Sequence, residues 1–237
     1  MICIVIYMLK TLLRKTIKYK NIIIVIGIMV ILGCAIIPAI TTSVRPRGQY
    51  TIVIDAGHGG RDGGSIGING SIEKELNLKY AKSLQKLLKK ANINVVMTRS
   101  SDDGLYDDSA SNKKLSDMRK RREIISNAMP DLVVSIHMNS FALDSCKGAK
   151  TFYQIGNETS FNVAKSIQNS LHYYIDNASK TVSAGDYYIL NCTQYTSVLI
   201  ECGFISSPEE EKLLCDDKYC DEFSYSVYRG IMLALGI

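Results

Sequence analysis

The sequence predicts an α/β single domain over residues 50–237, with a mixed, mostly parallel central sheet flanked by helices on both faces, preceded by an N-terminal membrane segment. Three observations predict it. Short apolar runs rich in β-branched and aromatic residues recur along the chain, as strands covered on both faces do. Between them lie longer segments whose apolar residues recur at helical spacing. Near the N-terminus, Ile22 to Ile40 forms a separate run of 19 residues without a charge.

Taken in order, residues 1–21 are basic, with Lys10, Arg14, Lys15, Lys18 and Lys20 and no acid. As a helix, the run 22–40 would reach about 28 Å, close to the roughly 30 Å of a bilayer's hydrocarbon core. The bases before it place residues 1–21 in the cytoplasm and everything after the run outside. Around Ala35 to Ala39 the small-x-small pattern of a cleavage site is poorly formed, so the expectation is an uncleaved transmembrane signal-anchor over 22–40. Residues 41–49, with Pro46 and Gly48, read as a linker.

Strands are expected at Tyr50 to Asp55, Asn94 to Thr98, Leu132 to Ile136, Ala149 to Gln154, Tyr187 to Leu190 and Ser197 to Glu201. Helical spacing links Leu76, Tyr80, Leu84, Leu87, Leu88 and Ala91, then Met118, Ile125 and Met129, then Val163, Ile167, Leu171 and Ile175. A last helix is expected over Tyr219 to Leu235. Strands and helices in this alternation build one layered domain.

The net charge of +5 suggests nucleic acid at first sight, but its source excludes that reading. Residues 1–50 hold 7 of the 28 bases and no acid, which leaves 21 bases against 23 acids beyond. The folded part therefore has no basic excess with which to neutralise phosphates. Cys146, Cys192, Cys202, Cys215 and Cys220 are odd in number and contain no CxxC pair, so each reads as a small buried apolar residue.

The chemistry collects at strand ends. His58 follows the apolar run Thr51 to Asp55, His137 follows Leu132 to Ile136, and Glu201 follows Ser197 to Ile200. In open α/β sheets, ligands bind in the crevice beyond the carboxyl ends of the strands. Gly57, Gly59, Gly60, Gly63 and Gly64 surround His58 and permit a tight loop there. Glu73 stands at the mouth of the following helix, just after Ser71, a candidate N-cap.

Two imidazoles and a carboxylate are the ligand set of a catalytic zinc, and a further carboxylate can serve as base. The glycine loop lacks the lysine and hydroxyl of a P-loop and the GxGxxG spacing, which sets phosphate binding aside. A lone strand-end histidine is as often a hydrogen-bonded core residue, and the joint placement of two argues against that. His172 reads as a surface residue. Tyr187 and Tyr188 read as packing residues in a strand, and the basic run Lys113 to Arg122 as a solvated helix face.

The segments Ile54-Asp55-Ala56-Gly57-His58-Gly59-Gly60, Glu73-Lys74-Glu75-Leu76-Asn77-Leu78, Ser135-Ile136-His137-Met138-Asn139-Ser140 and Leu199-Ile200-Glu201-Cys202-Gly203-Phe204 resemble, in that order, the motifs of zinc-dependent N-acetylmuramoyl-L-alanine amidases of the Amidase_3 family. Arg122 through Asn127 is similar to that family's Arg-containing helix before the second His. The resemblance covers Tyr50 to the C-terminus. It implies that His58, Glu73 and His137 bind zinc, that Glu201 is the catalytic carboxylate, and that the scissile bond is the amide between muramic acid and L-alanine in peptidoglycan.

Ser206-Ser207-Pro208-Glu209 and Tyr195-Thr196 depart from the family pattern and bear on loop geometry near Glu201, while the ligand positions match. An anchor followed at once by a bare catalytic domain is most similar to the family's spore-cortex type. That implies action in the forespore envelope, with an activating lipoprotein or a δ-lactam-forming deacetylase as partners. Two other readings use the same residues. A non-catalytic peptidoglycan binder would be expected to lose Glu201, which is retained. A zinc carboxypeptidase acting on wall peptides would release a C-terminal residue in place of an L-alanine amine.

Overall fold

The computed structural model describes residues 46–141 and 147–237, together with residues 6–8, 10, 19, 20 and 24. The chain divides into two compact units, Met1–Ser43 and Val44–Ile237. In the first, the described residues are helical. The expected anchor at 22–40 lies outside the described residues except for Ile24. Among the described residues no helix is long and apolar enough to cross a membrane.

The second unit contains β1 (Thr51–Ala56), α1 (Glu73–Lys90), β2 (Asn94–Met97), α2 (Lys113–Ala128), β3 (Leu132–Asn139), β4 (Lys150–Gln154), α3 (Glu158–Tyr174), β5 (Ser183–Gly185), α4 (Tyr188–Asn191), β6 (Ser197–Phe204), α5 (Pro208–Cys215) and α6 (Asp217–Leu235). The sheet runs β2-β1-β3-β6-β4-β5. Its pairs are parallel except β4 with β6, which is antiparallel. The mixed, mostly parallel sheet is thus as the sequence predicts.

Side chains alternate across the sheet, and each face has its own helices. Ile52, Ile54, Leu132, Val134, Ile136, Val198 and Ile200 pack with α1, α3 and α6 through Tyr80, Leu84, Ile167, Leu171, Phe223 and Val227, all buried. On the opposite face, Val53, Val133 and Leu199 meet Ile125 of α2 and Ile189 and Leu190 of α4. This second layer is thin, since α4 is 4 residues long. Two residues further along each strand, that same face carries Asp55, Ser135 and Glu201, and two further still on β3 it carries His137. The alternation that buries the thin-face core therefore also sets the polar site beside it.

Three of the six helices of this unit begin with a side-chain cap. Asn112, Asn157 and Asp216 accept from the backbone N–H three residues on, in α2, α3 and α6. The expected cap of α1 is different: Ile72 holds the N-cap position without a side-chain bond, and Ser71 instead donates its hydroxyl to Glu211 Oε1 at 2.6 Å. A buried carboxylate offers Ser71 a stronger partner than the helix end does.

Two further expectations change. The strand foreseen at Tyr187 to Leu190 is the helix α4, and the edge strand is Ser183–Gly185. Ile189 and Leu190 are both buried and pack on the same face of the sheet, with Val53, Val133 and Leu199, which a helical turn laid on that face allows and a strand, whose neighbours point to opposite faces, would not. Helix α5 was not foreseen, although Pro208 at its first turn with Glu209, Glu210 and Glu211 is a readable start signal.

Candidate metal centre

From β1 the chain moves to β2 on one side, then crosses to β3 on the other. The boundary between β1 and β3 is a topological switch point, where a crevice opens beyond the carboxyl ends. His58 lies two residues past β1, and His137 lies near the end of β3. Glu73 is the first residue of α1. Ligand atoms of His58, Glu73 and His137 all lie within 4.8 Å of one another.

Glu73 is the hub of this group. Its Oε1 is 3.2 Å from His58 Nε2 and 3.0 Å from His137 Nδ1. Oε1 also accepts from Asn77 Nδ2 at 3.3 Å and from the Met138 amide at 3.2 Å, while Oε2 accepts from the Ser65 amide at 2.8 Å. Burial works to raise its pKa, but the hydrogen bonds and charge of His137 and His58 prevail and hold it far below the usual carboxylate range. The carboxylate is thus charged and aimed, as a ligand must be.

Close approach of β1 and β3 depends on Gly57. A Cβ there would lie 2.3 Å from His137 Cε1 and Nε2, so any side chain would push the ring aside. His58 itself has φ of 60°, a left-handed conformation rarely adopted by a non-glycine residue. Two buried arginines hold this loop by its carbonyls. Arg121 Nη1 donates to Ala56 O at 2.8 Å and Nη2 to His58 O at 2.6 Å. Arg99 Nε donates to Ala56 O at 2.9 Å and Nη2 to Gly57 O at 2.8 Å.

Arg121 is neutralised from two sides, by Asp55 Oδ1 at 2.6 Å and by Asp117 Oδ2 at 2.7 Å. Asp55 also accepts from Thr98 at 2.8 Å and from Ser135 at 2.7 Å. Burial pushes the Asp55 carboxyl up, but Arg121 and the Ser135 hydroxyl outweigh it and bring it to about 2. These residues were missed in the sequence. The family comparison pointed to Arg122, which is exposed, whereas Arg121 is 2% exposed. The basic run at Lys113 to Arg122 is therefore a solvated face with one buried cation, Arg121, paired with the buried Asp117.

Glu201 lies on β6 directly in register with His137 on β3. It is 8% exposed, and its Oε2 is buried without a hydrogen-bond partner. Burial first, and then the like charge of Glu73, push its pKa up to about 7 against the pull of His137 and His58. All four predicted residues line one cavity of about 400 Å³, shared with Lys114, Asn139, Tyr187 and Tyr188. The two tyrosines, expected as strand packing, belong to the α4 end of the cavity; Tyr187 also packs edge-on against Phe152.

Other expectations divide. His172 is on the surface, with Nδ1 3.2 Å from Ala178 O. Cys202 and Cys220 are buried, but Cys192 is half-buried and Cys215 exposed, because Cys215 closes α5 at the surface. Cys146 lies outside the described residues. The departures near Ser206 leave an ordered corner, in which Ser206 Oγ accepts from the Phe141 amide and Glu210 from the Phe204 and Gly148 amides.

The donor set suits zinc on chemical grounds: two imidazole nitrogens and one carboxylate oxygen, with a second carboxylate nearby whose free oxygen is buried. Known proteins resemble this chain over its folded part. The family model described as N-acetylmuramoyl-L-alanine amidase matches residues 52–232. The chain is 35% identical over 192 residues to the germination-specific N-acetylmuramoyl-L-alanine amidase of Bacillus subtilis, covering 79% of this chain and 80% of that protein. It is 30% identical to the amidase LytC of the same organism, covering 81% of this chain and 38% of that one. Among solved structures, the CwlD amidase from Clostridioides difficile in complex with the GerS lipoprotein is 36% identical with a TM-score of 0.76, covering 79% and 98% of the two chains.

Proposed function

This chain belongs to the N-acetylmuramoyl-L-alanine amidase family, and from that premise we propose how its residues share the reaction. The enzyme hydrolyses the amide that joins N-acetylmuramic acid to L-alanine in peptidoglycan. His58, Glu73 and His137 hold a zinc ion, and Glu201 moves the proton. A single arrangement supports this reading: three ligand atoms within 4.8 Å of one another, beside a buried carboxylate oxygen that has no partner.

Zinc held there supplies Lewis acidity, polarising a carbonyl oxygen and making a water easier to deprotonate. The chain's own residues do the rest. Glu201 takes a proton from the attacking water on Oε2 as the water oxygen bonds to the lactyl carbonyl carbon. It then returns that proton to the L-alanine nitrogen as the C–N bond breaks. Burial, which raises the proton affinity of Glu201, suits a group that must act first as base and then as acid. Arg99 and Arg121 keep the His58 loop in place, and Tyr187 and Tyr188 bound the cavity on the side of α4.

The spore-cortex role rests on likeness to the germination-specific relative and to the Clostridioides difficile structure. On that reading the substrate is cortex peptidoglycan, and the enzyme works outside the cytoplasm in the forespore envelope. Its partners are then a lipoprotein, as in the neighbour's complex, and a deacetylase that acts on the stripped muramic acid. The domain plan belongs to the same proposal, with residues 1–21 cytoplasmic, 22–40 an anchor, 41–49 a linker and 50–237 catalytic. Protease added to intact protoplasts should remove the catalytic domain, and full protection would reverse this topology.

Product analysis tests the reaction itself. With peptidoglycan and zinc, the protein should release stem peptides carrying a free L-alanine amine. Release of single C-terminal residues would instead make it a carboxypeptidase, and absence of products from a zinc-loaded protein would make it a binder.

A further inference from the structure

His58 has a second ring nitrogen, with surroundings of its own. Nε2 faces Glu73 at 3.2 Å, whereas Nδ1 is buried and makes no well-aligned hydrogen bond among the described residues. Asp62 Oδ1 stands against it at 2.9 Å, a short but oblique approach. We propose that Asp62 is a positioning residue for the metal centre: it keeps the proton of His58 on Nδ1, so that the Nε2 lone pair is the one offered to zinc. This rests on the zinc assignment above and goes one residue beyond it.

A neutral imidazole carries one N–H and one lone pair, and the partner of one nitrogen decides which is which. An ionised carboxylate only accepts. Glu73 also faces the ring as an acceptor, at Nε2, but on the ligand reading it shares the zinc with that nitrogen; Asp62, outside the ligand set, is then the carboxylate that selects hydrogen on Nδ1 and leaves the Nε2 lone pair for the metal. Asp62 is itself fixed well enough for that task. Its backbone closes on Gly59 in both directions, at 2.9 and 3.2 Å. Oδ1 also accepts from the Gly64 amide at 3.2 Å, and Oδ2 pairs with Lys114 of α2.

The Lys114 pairing gives α2 a double hold on His58. Lys114 and Arg121 are seven residues apart, two helical turns, and so share a face of α2. Arg121 reaches the His58 carbonyl at 2.6 Å, and Lys114 reaches the ring through Asp62. Backbone and ring are thus tied to one rigid helix, at a residue whose own φ of 60° would otherwise favour release. If Asp62 served only to close the turn with Gly59, its side chain could be removed without altering the metal.

The test uses the full chain carrying Asp62→Ala or Asp62→Asn. Zinc affinity is measured by chelator competition, the visible spectrum is recorded after cobalt substitution, and the metal-free proteins are melted to check folding. Asp62→Ala should bind zinc about 10- to 100-fold more weakly and shift the cobalt bands, with the metal-free melt near that of the wild type. Asp62→Asn keeps the shape and an acceptor oxygen, and should fall between. A folded Asp62→Ala protein within about threefold of wild-type affinity, less than one typical hydrogen bond, overturns the proposal. Should Asp62→Ala not fold, Asp62→Leu, which has a similar shape and no acceptor, is judged by the same threshold. His58→Ala, run alongside, separates the two claims: if it keeps wild-type zinc affinity, the ligand assignment fails and the role of Asp62 with it.

Discussion

Glu201 is the in-register neighbour of His137 across the parallel ladder of β3 and β6, and its Oε2 is buried without a hydrogen-bond partner. His137 turns its Nδ1 to Glu73, at 3.0 Å, so the two glutamates flank the histidine in different states. Glu73 is held far down by both imidazoles, while Glu201 is pushed up to about 7 by burial and by Glu73. Two carboxylates driven apart in this way fit the proposed roles, Glu73 as ligand and Glu201 as acid and base.

Arg121→Met should destabilise the domain by about 3–5 kcal/mol, because it leaves Asp55 and Asp117 with an uncompensated buried charge. Denaturant unfolding at neutral pH measures it. A loss within about 0.5 kcal/mol, the range of ordinary surface substitutions, would mean that the pair does not anchor the β1 loop.

The same carboxylate gives a pH dependence. In the fold Asp55 has its pKa lowered from 3.8 to about 2, so its contribution to stability is present above its unfolded value and is lost as pH falls from about 4 toward about 2. The size is about 2 kcal/mol. Unfolding free energies of wild type and Asp55→Asn, compared at about pH 6 and about pH 2, should show this acid-side loss only in the wild type. Equal acid slopes in the two proteins would contradict it.

Gly57→Ala is expected to fold but to misplace His137, since the new Cβ would meet the ring at 2.3 Å. A displacement near 1 Å in a reacting site costs about 100-fold in rate. Amine release from peptidoglycan should fall by at least that much, with weaker zinc retention. Wild-type turnover in this variant would show that the close approach of β1 and β3 is not required.

Removal of metal should abolish turnover and leave the sheet intact, because the buried core on both faces is independent of the three ligands. Circular dichroism after chelator treatment and the recovery of activity on adding zinc check both halves. A protein fully active after its zinc has been removed would refute the metal assignment.

The four candidate site residues, which the structure brings to one cavity, were legible because each marks a local boundary: His58, His137 and Glu201 follow apolar strand runs, and Glu73 opens a helix. Periodicity encodes such positions directly. Arg99 and Arg121 were not legible, because their partners are main-chain carbonyls 43 and 65 residues away at Ala56. Within Arg119, Lys120, Arg121 and Arg122, only the phase of α2 against the sheet chooses which cation is buried. Tyr187 and Tyr188 misled for a related reason. Their aromatic and branched neighbours favour a strand in isolation, while packing of Ile189 and Leu190 against Leu199 sets a helical turn.

The most direct test is Glu201→Gln, assayed once for zinc content and once for released L-alanine amine. Gln keeps the shape and can still form hydrogen bonds, but it cannot take the proton from water. The variant should hold a full complement of zinc, fold as the wild type does, and lose turnover by at least about 10² to 10⁴. Loss of zinc in this variant would make Glu201 a ligand, and cleavage at near wild-type rate would place the base elsewhere.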